Sequence, residues 1–321
     1  MDKRRTIVLV ARVAASFVML WVLLSRIPDF DAGAVVPDSD IGNLLWLAGA
    51  AAFTLAAIVL STLRWKEVLA ALGLRARLGR LLSVYLAGQF VANVLPTTIG
   101  GDVLRVSRLA KDTGEAPRTF ASVVLERLTG WLVLPVITFV GFIVNPGLTH
   151  LGTATQVALA LAGGTLVALA LLLAVVASRP LSERPTAPTG WRRFAGAVHL
   201  GVDRLRRQPG VALRVVLVGF AYQLALVLAA VMAAQALGLR VAGLTAMLAF
   251  FPAVAIAQVL PIGISGLGVR ESAFVLFLTP LGVPAEQAVA LGLLLYALNL
   301  VVSLLGAPAF AIGGRPTRAI A

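Results

Sequence analysis

Two short segments carry residue types and a spacing suited to binding an anion. Residues 100–105 read Gly-Gly-Asp-Val-Leu-Arg, and residues 266–271 read Gly-Leu-Gly-Val-Arg-Glu. Glycines allow sharp turns and a close approach of the backbone to a ligand. The arginine in each segment offers a planar set of donors that matches phosphate. We therefore predict that Arg105 and Arg270 bind an anionic headgroup.

Further polar residues could complete such a site. Glu126 and Arg127 are neighbours that point to different faces of a helix, so we expect them to pair with other segments rather than with each other. We interpret Asp102 and Glu126 as counter-charges of the two arginines. The full set of predicted substrate-binding residues is Asn93, Pro96, Gly100, Gly101, Asp102, Arg105, Glu126, Arg127, Gln258, Pro261, Gly266, Gly268, Arg270 and Glu271. Asn93 and Gln258 are interpreted as its polar lining.

The composition indicates the environment in which these residues lie. Of the 321 residues, 60% are hydrophobic and only 13% are charged, which excludes a soluble globular fold and a disordered chain. Cysteine is absent and there are two histidines, so we expect no metal site and no cofactor. The basic residues that give the net charge of +13 lie in loops between apolar runs. Membrane topology explains this distribution better than binding to nucleic acid does. The sequence predicts an all-α polytopic membrane protein.

Six apolar runs are long enough to cross a bilayer, which takes about 20 residues. They cover residues 7–25, 43–62, 128–145, 155–177, 212–237 and 288–312. Two further apolar stretches, residues 81–104 and 244–269, are interrupted by proline and glycine. Basic residues, Arg64 among them, flank the first stretch on both sides, so both of its ends are predicted to be cytoplasmic. We interpret the two stretches as re-entrant hairpins of broken helices.

This topology puts 22 of the 27 Lys and Arg residues, and both termini, on the cytoplasmic side of the inner membrane. The basic loop of residues 178–211 is cytoplasmic in this arrangement. Its arginine-rich part is either an interfacial helix against anionic lipid or a plain topology signal. The arrangement predicts six full spans and two re-entrant hairpins in a single transmembrane domain.

The two broken stretches resemble each other at a constant offset of 165 residues. Residues 93–96 (Asn-Val-Leu-Pro) align with residues 258–261 (Gln-Val-Leu-Pro). At the same offset Gly101 aligns with Gly266, and Arg105 aligns with Arg270. Each half, residues 1–145 and 146–321, then holds three spans, so the second half is predicted to be inverted. Inverted repeats with broken helices are typical of membrane carriers.

Several motifs resemble the membrane region of lysylphosphatidylglycerol synthases and related flippase-like proteins. They are residues 90–96 (Phe-Val-Ala-Asn-Val-Leu-Pro), Gly-Gly-Asp at 100–102 followed by Arg105, residues 122–127 (Ser-Val-Val-Leu-Glu-Arg) and Gly130. The resemblance covers about residues 44–305. It implies movement of lipids between leaflets, with aminoacylated phosphatidylglycerol as the best-known case. The synthases also carry a soluble aminoacyl-transfer domain after the membrane region, and this sequence stops at Ala321, so lysine transfer is not expected.

We therefore predict a flippase-like translocase rather than an enzyme, acting on an anionic phospholipid or a polyisoprenoid-phosphate-linked lipid. One alternative is a membrane enzyme of polyisoprenoid-sugar or aminoacyl-phospholipid synthesis, for which the acid pairs Asp29/Asp31 and Asp38/Asp40 are the best candidates. Another is an accessory partner of a separately encoded lipid-modifying enzyme.

Overall fold

A computed structural model describes residues 40–94, 100–177, 191–259 and 266–312, with a few positions before residue 40. Every regular element in these ranges is helical. In chain order the helices are α1 Ile41–Ala71, α2 Leu78–Val94, α3 Gly100–Thr113, α4 Ala116–Val144, α5 Thr153–Ala177, α6 Trp191–Arg206, α7 Pro209–Ala236, α8 Leu244–Ala257, α9 Val269–Leu278, α10 Ala285–Leu304 and α11 Gly306–Ile312, with 3₁₀ turns at Pro146–His150 and Thr279–Leu281.

Five stretches of the described chain are long and apolar enough to cross a membrane. They are Ile41–Ala71, Ala116–Val144, Thr153–Val175, Pro209–Ala236 and Ala285–Ile312, the last of which joins α10 and α11. They coincide with five of the six spans predicted from the sequence. The sixth prediction, residues 7–25, falls largely outside the described residues. The chain is thus an all-helical, multi-pass integral membrane protein.

Two helices extend well beyond the predicted spans. Helix α1 continues to Ala71 instead of ending at residue 62, and α4 begins at Ala116 instead of residue 128. The predicted spans stop at charged residues, and both helices continue past them because Arg64, Glu126 and Arg127 have ion-pair partners within the protein. Arg64, which the sequence analysis counted among the basic flanking residues, lies in α1 and is only 3% exposed.

Helices α2 and α3 form an antiparallel hairpin. Arg80 near the start of α2 donates to both carboxylate oxygens of Asp112 near the end of α3, at 2.7 and 3.2 Å. Near the turn, the Cβ of any larger residue at Gly101 would collide with the carbonyl of Gly88. The turn itself, residues 95–99, lies outside the described residues. The predicted end at residue 104 was too early, since α3 continues to Thr113 with a charged outer face.

Helices α8 and α9 form the second hairpin. Phe250 stacks on Phe277 with ring centroids 5.2 Å apart, and Phe251 lies 6.4 Å from Phe274, so the two helices run in opposite directions. Helix α8 begins at Leu244, as the predicted stretch does, and α9 extends the second arm to Leu278. Residues 260–265 at the turn lie outside the described residues.

Small residues let the helices approach closely. The longest pairing is between α1 and α7. Helix α4 crosses α8 at Gly141, where a Cβ would overlap the backbone of Ala249. Helix α11 crosses α2 at Gly306, against the carbonyl of Leu86. Packing of this kind holds membrane helices together because lipid supplies no hydrophobic driving force between them.

The C-terminal helix is tied to the first hairpin by Arg108 of α3. Its guanidinium donates to the carbonyl oxygens of Ala309 at 2.8 Å and Phe310 at 2.7 Å. These are among the last carbonyls of α11, which have no partner within the helix. The first hairpin is therefore connected to the end of the last span.

The predicted basic loop of residues 178–211 contains helix α6. Its Val198 is fully buried, and its Gly201 packs against the Leu125 side chain of α4. The arginine-rich part of this segment is helical. Contact of that helix with anionic lipid stays a prediction.

Candidate functional site

A polar cavity of about 340 Å³ lies between the two hairpins. Its walls come from α1, α2, α3, α4, α7, α8, α9 and α10. Tyr222 and Gln223, at the midpoint of the long helix α7, line it, so the cavity is near the middle of that span. Its polar and charged lining consists of Thr54, Arg64, Tyr85, Gln89, Asn93, Asp102, Arg105, Glu126, Arg127, Tyr222, Gln223, Gln258, Arg270, Tyr296 and Asn299.

Glu126 of α4 is the central carboxylate of this cavity. It is 3% exposed and joins two arginines from different helices. Arg64 of α1 donates to its Oε1 atom, and Nη1 of Arg105 lies 3.2 Å from its Oε2 atom. The hydroxyl of Ser61 also donates to Oε1, at 2.9 Å. The single carboxylate thus holds α1, α3 and α4 together.

The guanidinium of Arg105 contacts two aromatic rings. Its Cζ atom is 4.3 Å from the ring centroid of Trp65 and 4.5 Å from that of Tyr85. Both rings are held in place by hydrogen bonds, from Tyr85 to Ser61 and from the Trp65 indole to Ser122, each 2.9 Å long. Cation–π contacts with two anchored rings restrict the orientation of the arginine fork.

Asp102 of α3 is the second carboxylate that pairs with Arg105. It accepts from Nε of Arg127 at 2.5 Å and from Nη1 of Arg105 at 3.5 Å. Glu126 and Arg127, although adjacent in sequence, therefore pair with different segments, which confirms the expectation from their helical spacing. The assignment of Asp102 and Glu126 as counter-charges of Arg105 is confirmed as well.

The second hairpin has its own ion pair. Arg270 donates through Nε and Nη2 to Oε1 of Glu271, at 3.1 and 2.7 Å, and stacks 5.2 Å from the ring centroid of Tyr296. The other oxygen of Glu271 accepts from the backbone N–H of Gly268 at 2.6 Å. The prediction that Asp102 or Glu126 neutralises Arg270 was wrong, because the adjacent Glu271 curls back over the first turn of α9 and reaches it.

Three glycines near the hairpin tips are required by their surroundings or by their backbone angles. Gly101 packs so closely on Gly88 that a side chain would overlap its carbonyl oxygen. Gly266 has φ +74°, and a Cβ there would lie 2.8 Å from Cβ of Gln258. Gly268, with φ +84°, is the N-cap residue of α9. Glycine adopts such backbone angles without steric cost.

Four donor atoms at the cavity are buried without a hydrogen-bond partner among the described protein atoms. They are Nε and Nη1 of Arg64 and Nε and Nη2 of Arg105. Buried donors of this kind are costly unless an acceptor satisfies them. The four arginines that line the cavity face three carboxylates, those of Asp102, Glu126 and Glu271, so this part of the structure carries one excess positive charge. The arrangement suits an anion with several acceptor oxygens.

The structure brings together eight of the fourteen residues that the sequence analysis named. Those that line the cavity are Asn93, Gly101, Asp102, Arg105, Glu126, Arg127, Gln258 and Arg270. Gly100, Gly266, Gly268 and Glu271 are placed near it at the ends of the broken helices but are not part of its lining. Pro96 and Pro261 lie outside the described residues. Binding of a substrate by any of them stays a prediction.

Sequence reasoning missed several cavity residues, above all Arg64, Tyr85, Tyr222 and Gln223. Arg64 was interpreted as a loop charge because a run of basic residues follows it. Gln223 could have been found, since an amide in the middle of an uncharged apolar span is unusual. No sequence signal distinguishes Tyr85 from an ordinary packed tyrosine.

Among the described residues, no group of three or more His, Asp and Glu side chains is arranged to hold a metal ion. Of the four acids weighed for a metal-dependent enzyme, Asp40 is described. It is the N-cap residue of α1, and its side chain accepts from the N–H of Gly42 at 3.2 Å. Asp29, Asp31 and Asp38 lie outside the described residues.

The fold and the site define a polytopic helical membrane protein with a charged cavity between two helical hairpins. The family model of the lysylphosphatidylglycerol synthase TM region matches residues 9–306, which is nearly the whole sequence. The chain belongs to this family, as its motifs predicted, and is a membrane protein of the lysylphosphatidylglycerol synthase type. Comparison with curated proteins finds no significant match.

Proposed function

We propose that this protein is a translocase that moves a lipid with an anionic, phosphate-type headgroup between the leaflets of the inner membrane. The observation that carries the proposal is the pair Arg64 and Arg105: both residues line a cavity near the middle of α7, and together they keep four buried donor atoms without a partner among the described protein atoms. A phosphate group satisfies such donors, and a membrane lipid carries one as its headgroup. The family supports phosphatidylglycerol or its derivatives as the first headgroups to test.

The proposed architecture is an inverted repeat of two three-span halves, each with one re-entrant hairpin. It is supported by the cavity lining, to which both members of two repeat-related pairs contribute: Asn93 with Gln258, and Arg105 with Arg270. At 1.5 Å per residue, α2 and α3 are at most about 26 Å long, shorter than the roughly 30 Å hydrocarbon core. Rocking of one half against the other would open the cavity to each leaflet in turn.

Cysteine labelling tests this topology, because the native chain has no cysteine. Both flanks of the first hairpin are expected inside and both flanks of the second outside. Cysteines at the exposed positions Gly79 and Lys111 should therefore resist an impermeant maleimide in intact cells, whereas those at Thr149, Arg240 and Pro280 should react. All five should react after permeabilisation. Labelling of Gly79→Cys from outside, or different sides for Arg240→Cys and Pro280→Cys, would contradict the re-entrant arrangement.

Leaflet transfer in vesicles tests the function itself and separates it from the enzyme alternative. In vesicles containing fluorescent phosphatidylglycerol, the wild-type protein should increase the fraction that dithionite quenches. Replacing Asp29, Asp31, Asp38 and Asp40 together with asparagine should leave this transfer unchanged, since asparagine keeps the cap of α1. Asp102→Asn should lower it about tenfold or more, because Arg127 and Arg105 lose a shared carboxylate near the membrane centre.

Two results would contradict the proposal. One is wild-type protein, folded and correctly inserted, that transfers no lipid. The other is loss of function in the four-acid variant together with full activity of Asp102→Asn, which would favour metal-dependent catalysis at the acid pairs.

A further inference from the structure

An apolar groove of about 580 Å³ lies beside the polar cavity. It is formed by α4, α5, α6 and the end of α8. The residues that line it are Val124, Arg127, Leu128, Trp131, Leu134, Ala160, Leu161, Gly164, Thr165, Ala168, Leu169, Leu172, Phe194, Ile256 and Val259. The hydroxyl of Thr165 is satisfied by the carbonyl of Leu161 at 2.7 Å, so it offers little polarity to a ligand.

The groove and the cavity lie side by side and share part of their walls. Arg127, Trp131, Leu134 and Val259 line both of them. Arg127 is the one charged residue among those that line the groove, and its side chain is half exposed while it pairs with Asp102. The boundary between the apolar and the charged compartment therefore runs through Arg127 and Trp131 of α4.

A ligand that fills both compartments must itself be divided into an anionic end and an apolar end. We propose that the groove holds one hydrocarbon chain of the lipid whose headgroup occupies the cavity, and that Arg127 contacts the headgroup where the chain begins. This inference rests on the proposed function, and it specifies the substrate as a lipid recognised by a chain as well as by its phosphate. The walls that it shares with the charged cavity distinguish the groove from a surface that only contacts bulk lipid.

The groove is expected to orient the lipid rather than to add hydrophobic binding energy. A hydrocarbon chain in the bilayer already has an apolar environment, so moving it into the groove yields no hydrophobic gain of the kind seen in water. What the groove supplies is orientation, since a chain held there points the headgroup at Arg105. Blocking the groove should thus impair binding of a lipid and leave binding of a soluble headgroup unchanged.

Two neighbouring glycines of α5 provide a matched test. Nothing lies within 4 Å of a Cβ at Gly164, which lines the groove, or at Gly163, which does not. Leucine at either position adds the same volume to the same helix and improves helix propensity. Gly164→Leu fills the groove, and Gly163→Leu serves as its control. Both variants should match the wild type in thermal unfolding and in elution from a sizing column.

The measurement compares two probes on detergent-purified protein: lysophosphatidylglycerol, which has one chain, and glycerol phosphate, which has none. We expect Gly164→Leu to weaken binding of lysophosphatidylglycerol tenfold or more and to leave binding of glycerol phosphate within twofold. Gly163→Leu should change neither. Unchanged binding of both probes by Gly164→Leu, or an equal loss for both, would overturn the chain site.

The two proposals fail in different ways. If the wild type binds lysophosphatidylglycerol in this groove-dependent manner but transfers no lipid in vesicles, translocation is wrong and the chain site stands. A different result would be that the wild type transfers lipid and that Gly164→Leu equals Gly163→Leu both in binding lysophosphatidylglycerol and in transferring phosphatidylglycerol. The chain site is then wrong and translocation stands.

Discussion

Replacing Glu126 with glutamine should lower the free energy of unfolding by about 3 to 5 kcal/mol, the usual cost of removing one partner of a buried ion pair. The side chain keeps its size, so the effect comes from charge. Without the carboxylate, Arg64 loses its ion-pair partner and Arg105 keeps only Asp102 at 3.5 Å. Thermal unfolding in detergent should show a large decrease in the midpoint temperature.

A surface pair on the same helix bundle gives the matched control for this change. Glu67 of α1 lies 3.3 Å from Arg214, whose side chain is 62% exposed. Exposed pairs contribute about 0 to 1 kcal/mol, so Glu67→Gln should be close to neutral. If Glu126→Gln were no more destabilising than Glu67→Gln, the buried network would have no part in stability.

A second substitution tests whether the unpaired arginine causes the loss. Methionine at position 64 removes the charge left without its ion-pair partner while keeping much of the length of the side chain. The double variant Arg64→Met/Glu126→Gln should therefore be more stable than Glu126→Gln alone, which is a coupling between neighbours rather than an additive effect. A double variant that is less stable than the single one would show that Arg64 stabilises the fold through packing.

The sequence predicted the membrane class, five of the described spans, the two broken stretches and most of the charged residues at the cavity. These features depend on local patterns, namely long apolar runs and glycines beside an arginine. Partner choice depends on tertiary structure instead. Arg64 follows an apolar run and precedes basic residues, so its sequence context is that of a loop charge, yet α1 continues and buries it against Glu126.

Arg105 and Arg270, which the sequence matches at an offset of 165 residues, have different partners in the structure. Sequence alone treats Arg105 and Arg270 as equivalents. In the structure Arg270 uses its Nε and Nη2 atoms on Glu271, which is fully buried, whereas Arg105 keeps Nε and Nη2 without a protein partner. Removing Arg270 would chiefly leave a buried carboxylate uncompensated, so we assign headgroup binding to Arg105 with Arg64 and a structural ion pair to Arg270.

Arg105→Ala should weaken binding of glycerol phosphate and transfer of phosphatidylglycerol about tenfold or more, because charge-assisted hydrogen bonds contribute about 1.5 to 3 kcal/mol each. The fold should tolerate this change better than the loss of Glu126. After it, Glu126 still accepts from Arg64 and Ser61, and Asp102 still accepts from Arg127. The variant is thus suited to separating binding from stability.

Replacing Arg105 with lysine tests whether the planar guanidinium, rather than the positive charge alone, is needed for binding. Arg105→Lys keeps the charge but loses the planar fork that contacts the rings of Trp65 and Tyr85, so it should recover only part of the binding. The control is Arg80→Ala, which removes an arginine of the same hairpin that pairs with Asp112 away from the cavity and should leave binding within twofold. Equal binding by wild type and Arg105→Ala would remove this residue from the site. Equal losses for Arg105→Ala and Arg80→Ala would show that the hairpin responds to any lost ion pair, and the fork of Arg105 would then have no special role in recognising phosphate.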